Sequence, residues 1–168
     1  YNFAIANVMF VVAMASMFGS IGLLPYYLQD VLKLDVIYIG GILLPGGLLM
    51  GLLGPFVGRL YDKVGPKPLI IPGIVIVSAV LWLGTLLSPT TPWVAVLVVY
   101  TIMCIGFALL FGPLFTLSLG SVKPEYYSHG SAILGSVQQV AGAAGTALLI
   151  SLMAATQSAQ LAAGAPAT

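Results

Sequence analysis

The run Trp93–Leu117, WVAVLVVYTIMCIGFALLFGPLFTL, decides the fold. It holds no Asp, Glu, Lys, Arg or His, and it exceeds the roughly 20 apolar residues that a helix needs to cross the hydrocarbon core of a bilayer. Working outward from this 93–117 span, four more runs of the same character stand at about 3–28, 36–57, 69–87 and 130–155. The chain therefore reads as all-α, a polytopic transmembrane helix bundle with five spans, and residues 1–168 as a fragment of one transmembrane domain. Every charge falls between the spans: Asp30, Lys33 and Asp35 in one gap, Arg59, Asp62, Lys63 and Lys67 in the next, Lys123 and Glu125 in a third. A central Asp, Lys or Arg would cost about 2.5–3.5 kcal/mol on the insertion scale, so this partition supports the assignment. Composition agrees, with 60% hydrophobic and 5% charged residues where a soluble domain carries roughly a quarter charged.

Several function classes drop out. The net charge is +1 and no basic cluster is denser than Arg59–Lys67, which argues against a nucleic-acid partner. Cys104 is the sole cysteine, leaving neither an internal disulfide nor a thiolate metal cluster. Ser/His/Asp sets, paired carboxylates and metal-ligand spacings are missing, so no enzyme, metal or cofactor is expected. Val64-Gly65-Pro66-Lys67 lacks the upstream glycines and the following Ser/Thr of a phosphate loop. The chain opens on Tyr1 without a signal-peptide pattern, and its start is expected not to be the start of the gene product.

Basic residues collect on the cytoplasmic side of short membrane loops. Loops 58–68 and 118–129 share one face and hold Arg59, Lys63, Lys67 and Lys123; the opposite face has Lys33 between Asp30 and Asp35. Loops 58–68 and 118–129 are therefore placed in the cytoplasm, with 29–35, 88–92 and the tail 157–168 outside. Tyr26, Tyr27, Tyr38 and Trp93 on one side, with Tyr61, Tyr126 and Tyr127 on the other, suit two interfacial aromatic belts. Glycine and proline punctuate the spans, and Gly47-x-x-x-Gly51 and Gly54-x-x-x-Gly58 have the spacing that lets two helix backbones approach.

The most informative short stretch is Gly58-Arg59-Leu60-Tyr61-Asp62-Lys63-Val64-Gly65-Pro66-Lys67-Pro68. Physical chemistry alone gives it a meaning. Gly58 is expected to close the preceding helix in the left-handed conformation, Arg59 and Lys63 to sit by its negative end, Asp62 to favour the positive start of the next helix, and Pro66 or Pro68 to enter that helix's first turn. The stretch also resembles the loop signature of the major facilitator superfamily, Gly-x-Leu-x-Asp-Arg/Lys-x-Gly-Arg/Lys-Arg/Lys. Gly58, Leu60, Asp62, Lys63, Gly65 and Lys67 match, and Pro66 and Pro68 depart from it. The resemblance implies a cytoplasmic gate loop in which Gly58, Arg59, Asp62, Lys63, Gly65 and Lys67 form a breakable latch between helices.

Other stretches look like the fourteen-span drug:proton antiporter branch of that family. Leu24-Pro25-Tyr26-Tyr27-Leu28-Gln29-Asp30-Val31, Gly40 and Leu44-Pro45-Gly46-Gly47-Leu48 resemble the first two helices of its C-terminal six-helix half. Val122-x-Pro124-Glu125, Gly130-Ser131-Ala132 and Gln138-Gln139-Val140-Ala141-Gly142-Ala143-Ala144-Gly145 resemble the fifth. Some relatives carry arginine where Gln138 stands. The resemblance implies a secondary active transporter at the plasma membrane, exporting drugs or other amphipathic molecules by alternating access. Its partners would be a small-molecule substrate, protons, the lipid bilayer and a missing N-terminal half of the same polypeptide, and five of six helices would be present here. An importer of one metabolite in the same superfamily and a non-transporting membrane scaffold are the alternatives.

No Asp, Glu, Lys or Arg lies within a span, so the proton-carrying carboxylate expected of an antiporter is assigned to the missing half. The neutral candidates for cavity lining are Asn7, Tyr100, Thr101 and Gln138. Ser131, Gly135, Gln138, Gly142, Gly145 and Thr146 follow helical spacing and form a small, polar stripe that should face protein or water. Gln138 reads equally as cavity lining or as an interhelical hydrogen bond, and packing is slightly favoured for Tyr100. His129, at the mouth of the fifth helix, reads as an interfacial residue rather than a proton relay.

Overall fold

In a computed structural model that describes residues 2–86, 88 and 91–162, five helices follow one another: α1 (Asn2–Tyr26), α2 (Val36–Val64), α3 (Lys67–Gly84), α4 (Trp93–Gly120) and α5 (Tyr127–Ala162). A π turn, Tyr27–Val31, extends α1, and a 3₁₀ turn, Pro124–Tyr126, precedes α5. Strands are absent among the described residues. All five helices are long and apolar enough to cross a membrane. Helices are what such sequences must form, because a lipid-exposed backbone can satisfy its N–H and C=O groups only within its own segment.

The helix α4 is the hub, packing on α1, α2 and α3, whereas α5 packs on α1. At the hub, Phe107 and Phe111 stack with centroids 5.4 Å apart, and Phe10 of α1 meets Phe111 edge-on at 5.8 Å. Lipid is as apolar as leucine, so close approach depends on small residues. A Cβ added at Gly73 of α3 would fall 2.9 Å from the Leu110 side chain, and one at Gly106 of α4 would fall 2.8 Å from Val77. On α2 the close residue is Gly46, where a Cβ would stand 2.6 Å from the Tyr100 ring and 2.9 Å from Cys104 Sγ. Gly145 of α5 lies directly on the Ala15 backbone of α1, and Gly19 of α1 meets Leu149.

Several expectations need correction. The Gly-x-x-x-Gly pairs of α2 do not make its close approach in this chain: nothing lies within 4 Å of a Cβ at Gly47, Gly51, Gly54 or Gly58. Gly58 does not end a helix either. The helix continues to Val64 and closes at Gly65, the glycine with φ +80°, whose N–H donates to the Tyr61 carbonyl at 2.8 Å. Apolar periodicity stops where charge begins, but a charged helix end protruding from the bilayer needs no apolar residues, so hydropathy alone stopped α2 too early. α4 likewise runs past 117 to Gly120 and α5 past 155 to Ala162, on mostly small and polar residues, so residues 157–162 of the tail are helical. Residues 163–168 of that tail, and Leu87 at the end of the 69–87 span, lie outside the described residues; α3 itself stops at Gly84.

Two local expectations hold. Pro66 caps α3 and Pro68 stands in its first turn, where a missing N–H costs nothing. The lower part of the α5 stripe does face protein: Gly142 and Gly145 are buried against α1, and Thr146 and Gln138 are half-buried, while Ser131 is exposed.

Candidate functional site

At the basic end, α2 carries Arg59, Asp62 and Lys63 in its last two turns, Gly65 turns the chain, and Lys67 opens α3. Arg59, Asp62, Lys63 and Lys67 are all exposed. Arg59 and Lys63, one turn apart, suit the negative end of α2, whereas a carboxylate there is disfavoured. Asp62 therefore stands against the preference of its own helix, and no ion pair holds it among the described residues. The turn at Gly65 leaves all four charged residues at one end of the bundle, three on the last turns of α2 and one at the start of α3.

At the opposite end, a cavity of about 670 Å³ opens between α1, α3, α4 and α5. Tyr26, Tyr27 and Asp30 line it near the π turn, Tyr100 lines it from α4, and most of its surface is apolar. The Tyr27 hydroxyl donates to the Ser88 carbonyl at 2.8 Å, tying the end of α1 to the connection between α3 and α4.

The four neutral candidates are not brought to one place. Tyr100 lines this cavity and is largely buried against Gly46. Thr101, next to it on α4, is half-buried, and its Oγ1 has no hydrogen-bond partner among the described residues. Asn7 on α1 and Gln138 on α5 are half-buried nearer the basic end and do not line the cavity. His129 is exposed in the first turn of α5. Sequence reasoning missed Gly46, because the Gly-x-x-x-Gly spacing drew attention to its neighbour. It also missed Ser118, a fully buried hydroxyl on α4 with no partner among the described residues, which no periodic signal distinguishes from the exposed Thr116.

The model of the Major Facilitator Superfamily matches residues 3–146. The chain belongs to the major facilitator superfamily. Its sequence is 42% identical over 155 residues to the lincomycin resistance protein LmrB of Bacillus subtilis strain 168, covering 92% of this chain and 32% of that protein. It is 40% identical to LmrB of Listeria monocytogenes, covering 83% and 30%, and 26% identical to the riboflavin transporter RibZ of Clostridioides difficile, covering 91% and 34%. No solved structure matches the chain. The chain thus spans about a third of the length of these curated relatives. Relatives in this superfamily carry the names of transporters, and five helices of membrane-spanning length fit a multi-pass protein of the plasma membrane.

Proposed function

We propose that this chain is part of a proton-coupled exporter of amphipathic small molecules that works by alternating access. The observation that carries the reading is the 42% identity, over 92% of the chain, to a lincomycin resistance protein. In this superfamily each half is built from nested inverted repeats, with the substrate site near the midplane at the repeat interface. Tyr100 and Thr101 of α4, with Asn7 and Gln138 nearer the basic end, are neutral polar groups spread along the bundle rather than gathered at one point, and a path lined this sparsely suits loose recognition of apolar bodies. The proton is carried by a carboxylate in the N-terminal half of the polypeptide, since α1–α5 bury no Asp or Glu in their apolar stretches. The basic end faces the cytoplasm. There, Asp62 with Arg59, Lys63 and Lys67, set by Gly58 and Gly65, forms a latch that closes against another part of the polypeptide and breaks when the transporter changes face. The misfit of Asp62 with its own helix end supports this role, because a partner beyond α2 accounts for it.

The test is efflux of a fluorescent lipophilic cation from cells expressing the complete gene product, with and without a protonophore. Efflux that collapses with the proton gradient is expected. Efflux indifferent to the protonophore would remove the coupling from the proposal, and absence of efflux in well-expressing cells would remove the substrate class. The relation to a riboflavin transporter favours one second reading, an importer of a single metabolite. Saturable uptake of labelled riboflavin, with no efflux of the cation, would establish it.

A further inference from the structure

A second pocket, of about 490 Å³, opens where α1 packs on α5. It shares no residue with the groove between α3 and α5. Phe18 lines it from α1 and Gln139 from α5, and Gly142, Ala143 and Ala147 add small side chains that leave room above them. A Cβ at Gly142 would fall 2.9 Å from the Phe18 ring, so the glycine is what lets the ring lie against α5; even seated there, Phe18 is 37% exposed. Both residues lie deep in the apolar stretch. Phe18 is near the middle of the span Ala4–Val31, and Gln139 is near the middle of Tyr127–Thr156.

Gln139 is the residue that needs explaining. It is exposed in mid-span and makes no hydrogen bond among the described residues. A carboxamide without a partner in hydrocarbon is costly, so its side of α5 does not belong to lipid. Large apolar side chains suited to lipid stand elsewhere on the helix: Ile133, Val140 and Leu148, all exposed, gather roughly a third of a turn round from Gln139, Ala143 and Ile150. Thr146 brings no second polar group to the pocket, since its hydroxyl donates to the Gly142 carbonyl at 3.0 Å. Gln138, which the sequence singled out, is half-buried and lies outside the pocket. What the pocket offers is one flat aromatic face and one amide that both donates and accepts, in a volume within the roughly 300–1,000 Å³ of small-molecule sites. We propose that Phe18 and Gln139 form a specificity-determining subsite for aromatic solutes with polar groups on the ring edge, the ring lying on Phe18 and its edge hydrogen-bonding the Gln139 carboxamide. The subsite rests on the exporter reading above and names the shape of solute that this reading leaves open. Offset stacking on Phe18 holds the ring without demanding one exact structure, and the single amide selects for a polar edge.

The experiment uses the complete gene product and two probes: ethidium, a flat aromatic cation with amino groups on its edge, and radiolabelled tetrabutylammonium, a cation with neither ring nor hydrogen-bond donor. Efflux from expressing cells is followed against concentration. Gln139→Leu and Phe18→Leu are each expected to raise the apparent KM for ethidium about three- to tenfold, with the maximal rate little changed because the lost binding is common to ground and transition states, and to leave tetrabutylammonium efflux as it was. Phe18→Tyr, which keeps the ring, and Val140→Ala, outside the pocket, are expected to match the parent for both probes. An equal loss for both probes would make Phe18 and Gln139 packing residues or the seat of another part of the polypeptide, and no change for either probe would leave the pocket without a solute; each overturns the subsite. Equilibrium binding of ethidium to the purified protein, read from its fluorescence, needs no transport. Binding weakened by the same two leucine substitutions beside absent efflux would count against the exporter reading alone, whereas binding indifferent to them, or no binding by the parent, would overturn the subsite.

Discussion

Asp62 is the residue whose chemistry asks most of the rest of the polypeptide. Its carboxylate stands at the negative end of α2 without an ion-pair partner among the described residues. A hydrogen bond to a charged group contributes about 1.5–3 kcal/mol, or roughly tenfold to a hundredfold in an equilibrium. Asp62→Asn in the full-length protein is therefore expected to lower transport by about that factor, with membrane insertion unchanged; normal transport at normal expression would sink the latch. Gln138 is a finer case. If it only bonds between helices, its loss removes about 0.6 kcal/mol and leaves specificity alone, whereas a cavity role predicts an altered substrate profile at unchanged expression. Resistance profiles of Gln138→Ala across several compounds separate these outcomes. Both residues were legible in the sequence as candidates, Gln138 because a polar group in an apolar run stands out and Asp62 because it sits in the charged, glycine-bounded stretch 58–68. Their partners were not, because nothing in one helix's sequence states what another helix presents to it.

Between elements, contacts are set by glycines that the eye cannot rank from spacing. Gly46 and Gly47 are adjacent, yet only Gly46 faces α4; the choice depends on which side of α2 turns inward, and α2 is apolar nearly all round. Adding a methyl group in so tight a place forces neighbours apart at a cost of about 1–3 kcal/mol. Gly46→Ala is thus expected to lower the melting temperature of the purified protein, while Gly41→Ala, whose surroundings are open, should stay within about 0.5 kcal/mol of the parent. Equal effects of the two would contradict the α2–α4 packing. The existence and number of the helices, by contrast, could be read directly, since hydrophobic length is imposed by the bilayer. Their ends could not, because Arg59, Asp62 and Lys63 lie on helix outside the apolar stretch, and the left-handed glycine of the turn is seven residues beyond the one that hydropathy suggested.

For the molecule as a whole, the distribution of charge fixes an orientation that can be checked without any transport assay. In a Cys104→Ser background, Lys63→Cys should react with an impermeant maleimide only after the membrane is opened, and Lys33→Cys should react in intact cells. The reverse pattern would invert the bundle and move the latch to the outer face. The family, too, could be recognised from Gly58–Pro68 in the sequence, because a short segment at the junction of two spans keeps its turn and charge pattern in linear order. The groove between α3 and α5 could not, being assembled from four helices far apart in the chain.

The one thiol of this 168-residue chain occupies an instructive position. Cys104 is buried where α2 rests on α4, with its sulfur beside Gly46. Any cycle in which α2 parts from α4 must bare that sulfur, and any state in which they stay together must hide it. Alkylation at Cys104 by a permeant reagent, followed on the peptide that carries it, is therefore a built-in clock for the separation of these two helices, at whatever pace substrate or a proton gradient imposes.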